Sequence, residues 1–133
     1  MDLDELRSIH KKVFKLFRYK KDKANYGIME DWRHHAYKVQ RNESFEDDCD
    51  GFAFTCIKLM LDAGASPDQV MFIVCETETN DGHAVSGCTI GDKTYILENR
   101  SNSVYDWQEQ SRDYSWSYFM SFDEPGQWYK ISK

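Results

Sequence analysis

The sequence predicts an α+β fold, in which helices come first and an antiparallel sheet follows. Three observations lead there. Apolar residues recur at helical spacing near the N-terminus, they do so again from Cys49 onward, and beyond Val70 they form strand-length runs joined by short turns.

Leu3, Leu6, Ile9, Val13, Phe14 and Phe17 make an amphipathic stripe, which predicts a first helix over residues 3 to 19. Asp4 and Glu5 at its start and Lys15 near its end suit the helix dipole. His10 is expected at the boundary or surface of this helix. From Lys11 to Lys23 seven bases stand against the single acid Asp22, a pattern expected of a solvated face, with a patch for an anionic partner as the alternative. Tyr26 to Trp32, His34-His35, Tyr37 and Val39 read as a second short helix or an irregular segment. Adjacent histidines cannot both point the same way, so a metal site is not expected there. Residues 41 to 46 are polar and lead into the next helix.

That helix begins at Cys49. Phe52, Ala53, Cys56, Ile57, Met60 and Ala63 repeat at three-and-four spacing, and Gly64 stops the pattern. The acids ahead of it are good N-caps. A cysteine in a first helical turn meets the positive end of the helix dipole, which favours the reactive thiolate. Asp47, Asp48 and Asp50 oppose this, because negative charge beside the sulfur favours the thiol unless those carboxylates cap the helix, point away or hold a cation.

Ala65-Ser66-Pro67-Asp68 is a turn, and Val70 to Cys75 is an unbroken apolar run that fits a central strand. Cys75 is expected to be a small buried hydrophobe there, as are Cys56 and Cys88 in their elements. His83 to Ile90 and Lys93 to Glu98 are two strands joined by Gly91-Asp92, a tight hairpin with glycine where positive φ is needed. With a two-residue loop, Val85 faces Glu98 and His83 faces Arg100, so Glu98 lies one diagonal from His83 on the same face. A three-residue loop would set Asn99 opposite His83 instead. Residues 100 to 116 read as a long loop with one helical turn near Tyr105 to Gln110. Tyr118 to Phe122 and Trp128 to Ile131 close the sheet as a hairpin.

With 133 residues the chain is expected to form one domain over residues 1–133. A net charge of −6 gives no nucleic-acid footprint overall. No stretch approaches transmembrane length, and the N-terminus lacks the shape of a signal peptide, so a cytoplasmic protein with no membrane partner is expected. The four cysteines are then expected as reduced thiols, and without a Cys-x-x-Cys pair they do not suggest structural zinc.

A cysteine opening a helix, a histidine opening a strand and an acid or amide ending the neighbouring strand together form a papain-like layout: imidazole takes the thiol proton and a third group fixes its tautomer. At these residues the sequence resembles the bacterial transglutaminase-like cysteine peptidases, related to periplasmic proteases that clip biofilm adhesins. The similarity runs from about Trp32 to Trp128. It rests on Asp48-Cys49-Asp50-Gly51-Phe52-Ala53, on His83-Ala84-Val85, on Leu97-Glu98-Asn99, and on Ser121-Phe122-Asp123 followed by Gly126-Gln127-Trp128. Gly51 stands where the family has an acid, Glu98 where it has Asp, and Asp123 where it usually has Asn.

The resemblance implies a papain-like, transglutaminase-like fold with the nucleophile helix packed on the sheet. It also implies Cys49 as nucleophile, His83 as base and Glu98 as third member. Asp48 and Asp50 would correspond to the acids that hold calcium in the adhesin-clipping branch. The expected activity is attack on a peptide or glutamine-type amide of a protein substrate, through a thioester on Cys49 resolved by water or by an amine. The chemistry itself needs no cofactor. The Cys49 amide would hold the oxyanion, with Trp32 and Gln40 as candidates for a second donor. The competing reading is an inactive binding module that grips a protein through Tyr105 to Trp116.

Overall fold

A computed structural model describes residues 1–20 and 35–131. The expected segment from Tyr26 to His34, with Trp32, lies outside the described residues. The elements run α1 (Leu3–Leu16), β1 (Phe17–Tyr19), α2 (Ala36–Gln40), β2 (Phe45–Asp47), α3 (Cys49–Asp62), β3 (Val70–Glu76), β4 (Gly82–Ile90), β5 (Lys93–Leu97), β6 (Tyr105–Asp106), α4 (Trp107–Gln110), β7 (Ser115–Ser121) and β8 (Trp128–Lys130). Strands β3 to β8 form an antiparallel sheet in the order β6-β5-β4-β3-β7-β8. This is the α+β architecture expected from the sequence.

Helix α1 starts where chemistry favours it, since the Asp2 side chain accepts from the Glu5 amide at 2.8 Å and Glu5 reaches back in a capping box. It ends at Leu16, shorter than its apolar stripe suggests. Phe17 leaves the helix and opens β1, which pairs in parallel with β2, matching Phe17 with Phe45 and Tyr19 with Asp47. The Phe17 ring lies edge-on to Phe45 and Phe52, at 5.6 and 5.0 Å between centroids. Tertiary packing of Phe17 thus outweighs its place in the helical pattern. Residues 45 and 46, read as part of a polar lead-in, form with Asp47 the strand that feeds Cys49.

Helix α3 is the centre of the core. Phe52, Ala53, Cys56 and Met60 are fully buried between α1 and the sheet, and Gly64 adopts φ +105° just after the helix. Strand β3 alternates as a sheet covered on both sides must. Val70 and Phe72 meet α3, whereas Ile73 and Cys75 join Val85, Ile96, Tyr114 and Trp116 beneath it. The hairpin β4–β5 has the register of a two-residue turn, Ile90 opposite Lys93 and Ser86 opposite Leu97, with Gly91 at φ +66°. Among the described residues no helix is long and apolar enough to cross a membrane.

Phe52 couples α3 to β1 and α1, so Phe52→Ala is expected to cost about 3–5 kcal/mol in urea unfolding. A loss below about 1 kcal/mol would show that these elements are not one packed unit.

Candidate active site

Cys49 is the first residue of α3. Asp48 caps the helix, its Oδ1 accepting from the Gly51 amide at 3.1 Å. The run-in is held from behind. Asp47 Oδ1 accepts from the Asp48 amide at 2.8 Å, and its Oδ2 meets His35 Nε2 at 2.8 Å. His35 in turn donates its backbone N–H to Thr55 Oγ1 at 2.9 Å and stacks on Phe45 at 4.9 Å. A Cβ at Gly51 would collide with the Asp47 carboxylate. A side chain here, where the family carries an acid, would have to push the Asp47 carboxylate off the Asp48 amide and His35.

The sulfur is half-buried. It donates to Asp50 Oδ1 at 3.6 Å and is hydrogen-bonded by the backbone of Ala84, the residue after His83. Burial first, then the negative charge of Asp50, pushes the Cys49 thiol up to about 12, and the Ala84 contact opposes them in part. The resting group is a thiol. The acids beside it are strained electrostatically as well: burial and then mutual repulsion raise Asp48 to about 6, and burial raises Asp50 too.

His83 is 7% exposed, and its Nε2 lies 3.2 Å from Glu98 Oε1. Glu98 is 1% exposed. It follows β5 directly, so the register that sets Ser86 against Leu97 brings it to the His83 face. Tyr114 donates its hydroxyl to the same Oε1. Burial and then this hydrogen bond push the Tyr114 hydroxyl well above its ordinary value, so it remains a donor. Arg100 continues the chain of contacts. Its Nη1 donates to Tyr114 at 3.3 Å, its guanidinium lies 5.4 Å from that ring's centroid, and it pairs with Glu78. Asn99 does not take the orienting position, for its Oδ1 is buried with no hydrogen-bond partner among the described residues.

His10, expected at the boundary or surface, is buried at 1% exposure, and its Nε2 meets the Glu98 carbonyl oxygen at 2.9 Å. Burial lowers its pKa, which leaves a neutral ring donating that bond. The signal was present in the spacing, since Leu6, His10 and Val13 fall on one helical face. Tyr114 had no such signal, lying in a stretch without periodicity. That stretch does not form an exposed aromatic grip as a whole: Tyr105 and Trp107 are exposed, while Tyr114 and Trp116 are buried in the core. Gln40 is exposed at the end of α2, and Trp32 is outside the described residues.

Asp48 and Asp50 offer hard oxygens, which suit calcium, but calcium takes about six to eight of them. Among the described residues no three His, Cys, Asp or Glu side chains converge as metal ligands, and one oxygen each of Asp48 and Asp50 is taken by the Gly51 amide and the Cys49 thiol. As arranged, these two carboxylates alone do not make a calcium site.

Asp48 supplies a pH test. A carboxyl raised on folding weakens the fold as pH rises from about 4 to about 6, because the unfolded chain releases that proton first. Asp48→Asn keeps the cap and removes the repulsion. It should stabilise the protein by about 1 kcal/mol at pH 7, allowing for solvent screening, and by nothing at pH 4. Equal effects at both pH values in thermal unfolding would contradict the repulsion.

Comparison with known proteins agrees with the fold. The model of the bacterial transglutaminase-like cysteine proteinases (BTLCP) matches residues 1–133. No curated protein sequence matches. Solved structures of LapG from Legionella pneumophila are similar to it. One has 17% identity and a TM-score of 0.69, over 96% of this chain and 68% of that one. The calcium-bound form has 16% identity and a TM-score of 0.72, over 98% and 70%; the EGTA-treated form has 16% and 0.71, over 98% and 67%. At such identities the likeness establishes a shared papain-like, transglutaminase-like fold. With its whole length matched by the family model, this chain belongs to the bacterial transglutaminase-like cysteine proteinases.

Proposed function

We propose that the chain is one peptidase domain that hydrolyses a peptide bond of a protein substrate through Cys49, His83 and Glu98. The observation that carries this reading is the buried pair of His83 and Glu98, 3.2 Å apart, on the strand whose next residue, Ala84, meets the Cys49 sulfur through its backbone. Glu98 engages Nε2, so Nδ1 is the ring nitrogen left for the thiol. His83 takes the Cys49 proton as sulfur attacks the carbonyl carbon. The tetrahedral oxyanion is met by the Cys49 amide, one of the first-turn N–H groups an α-helix leaves unpaired. His83 then protonates the departing amine, the thioester forms, and water activated by the same imidazole hydrolyses it.

The high pKa of Cys49 has a consequence for timing. A preformed thiolate is not the resting state, so proton removal accompanies attack. Free, buried Cys56, Cys75 and Cys88 serve as internal comparisons. Calcium held in part by Asp48 and Asp50, with its remaining oxygens drawn from backbone, water or substrate, is a proposal supported by the repulsion of Asp48 by Asp50 and by the calcium-bound LapG relative. No step of the reaction runs through it.

The test is alkylation by iodoacetamide from about pH 6 to 10, read site by site by peptide mass spectrometry. Cys49 should react faster than the other three thiols, and its rate should still be rising at the top of the range. His83→Ala should remove its advantage at neutral pH. Asp50→Asn should shift the profile to lower pH, and calcium should do the same to the wild type if it neutralises Asp48 and Asp50. Equal reactivity of all four thiols throughout would overturn the nucleophile assignment.

A further inference from the structure

Helix α1 carries Arg7, Lys11 and Lys15 four residues apart, hence on one face and about 6 Å from one another along the axis. All three are exposed, and among the described residues none forms an ion pair. They line one side of a groove of about 730 Å³. Phe14 and Val104, both half-buried, contribute apolar surface, and Tyr105 and Glu109 line it from the other side. The groove also reaches His10, the residue bonded to the Glu98 carbonyl.

We infer that this groove is a binding site for an extended, acidic peptide segment whose carboxylates alternate with apolar side chains. Alternate residues of an extended chain lie about 6.6–6.8 Å apart on one side, which matches the rise between successive cations of α1. Their carboxylates meet Arg7, Lys11 and Lys15, and the intervening side chains cover Phe14 and Val104. Glu109 disfavours a uniformly anionic polymer, which would bring phosphates against its carboxylate. The net charge of −6 on the whole chain adds long-range repulsion for nucleic acid. A peptide escapes the local objection, since only one of its edges is charged and its apolar edge meets Glu109's side, and its few charges make the long-range repulsion smaller than for a polymer charged at every unit. The site is separate from the thiol chemistry and does not require it.

The experiment is a fluorescence anisotropy titration of a labelled peptide of about seven residues alternating glutamate and valine, with full-length protein carrying Cys49→Ala to prevent turnover. Binding should saturate and weaken as salt is raised. Lys11→Glu with Lys15→Glu should weaken it at least about tenfold, and the gentler pair Lys11→Gln with Lys15→Gln should weaken it less, with circular dichroism and urea midpoints checking the fold. Lys12→Glu makes one such charge reversal, half the change of the Lys11→Glu, Lys15→Glu pair, on another face of α1 and should alter affinity by less than about twofold. An equal loss with Lys12→Glu, no saturation below about 1 mM, or tighter binding of a single-stranded oligonucleotide would each overturn the proposal.

Discussion

A carboxylate at 1% exposure is the constraint on which the site depends. A carboxyl group buried this deeply needs hydrogen-bond partners, because an unpaired polar group in the interior is costly. Tyr114 and His83 supply them at Oε1, and His10 holds the backbone of the same residue from α1. Four elements therefore converge on one residue: the end of β5, the start of β4, the turn before β7, and the first helix. Arg100 and Glu78 extend the network outward, so the orientation of the imidazole is tied to the sheet and not to a single contact.

The thiol is governed by the opposite logic. Where Glu98 Oε1 is met by two donors, Cys49 sits among acceptors. Asp48 holds the helix, Asp47 holds Asp48 and His35, and Asp50 takes the thiol proton's hydrogen bond. These bonds fix the sulfur's position beside the Ala84 amide but keep it protonated. Geometry is thus prepared ahead of charge. In the proposed mechanism His83 completes the activation, so its tautomer matters more there than the pKa of the thiol.

Much of this was legible in the residues. The apolar spacing from Phe52 to Met60 located α3, and the Gly91-Asp92 turn set a register that brought Glu98, and not Asn99, to His83. Local chemistry decides both features. What stayed hidden depends on long-range contacts: the end of α1 at Leu16 is set by Phe17 packing on Phe45 and Phe52, and the role of Tyr114 arises only when β7 folds beside β3. Gly51 looked like a lost acid. Space explains it, because the Asp47 carboxylate occupies what a side chain there would fill.

The most direct measurement is the tautomer of His83, read from the imidazole nitrogen shifts and proton couplings of histidine labelled with nitrogen-15, in wild type and Glu98→Gln near neutral pH. A Glu98 that orients the base predicts a proton on Nε2 in the wild type, with Nδ1 unprotonated and available to Cys49, and a mixture of tautomers in the variant. A wild-type His83 carrying its proton on Nδ1, unchanged by Glu98→Gln, would contradict the account at its centre.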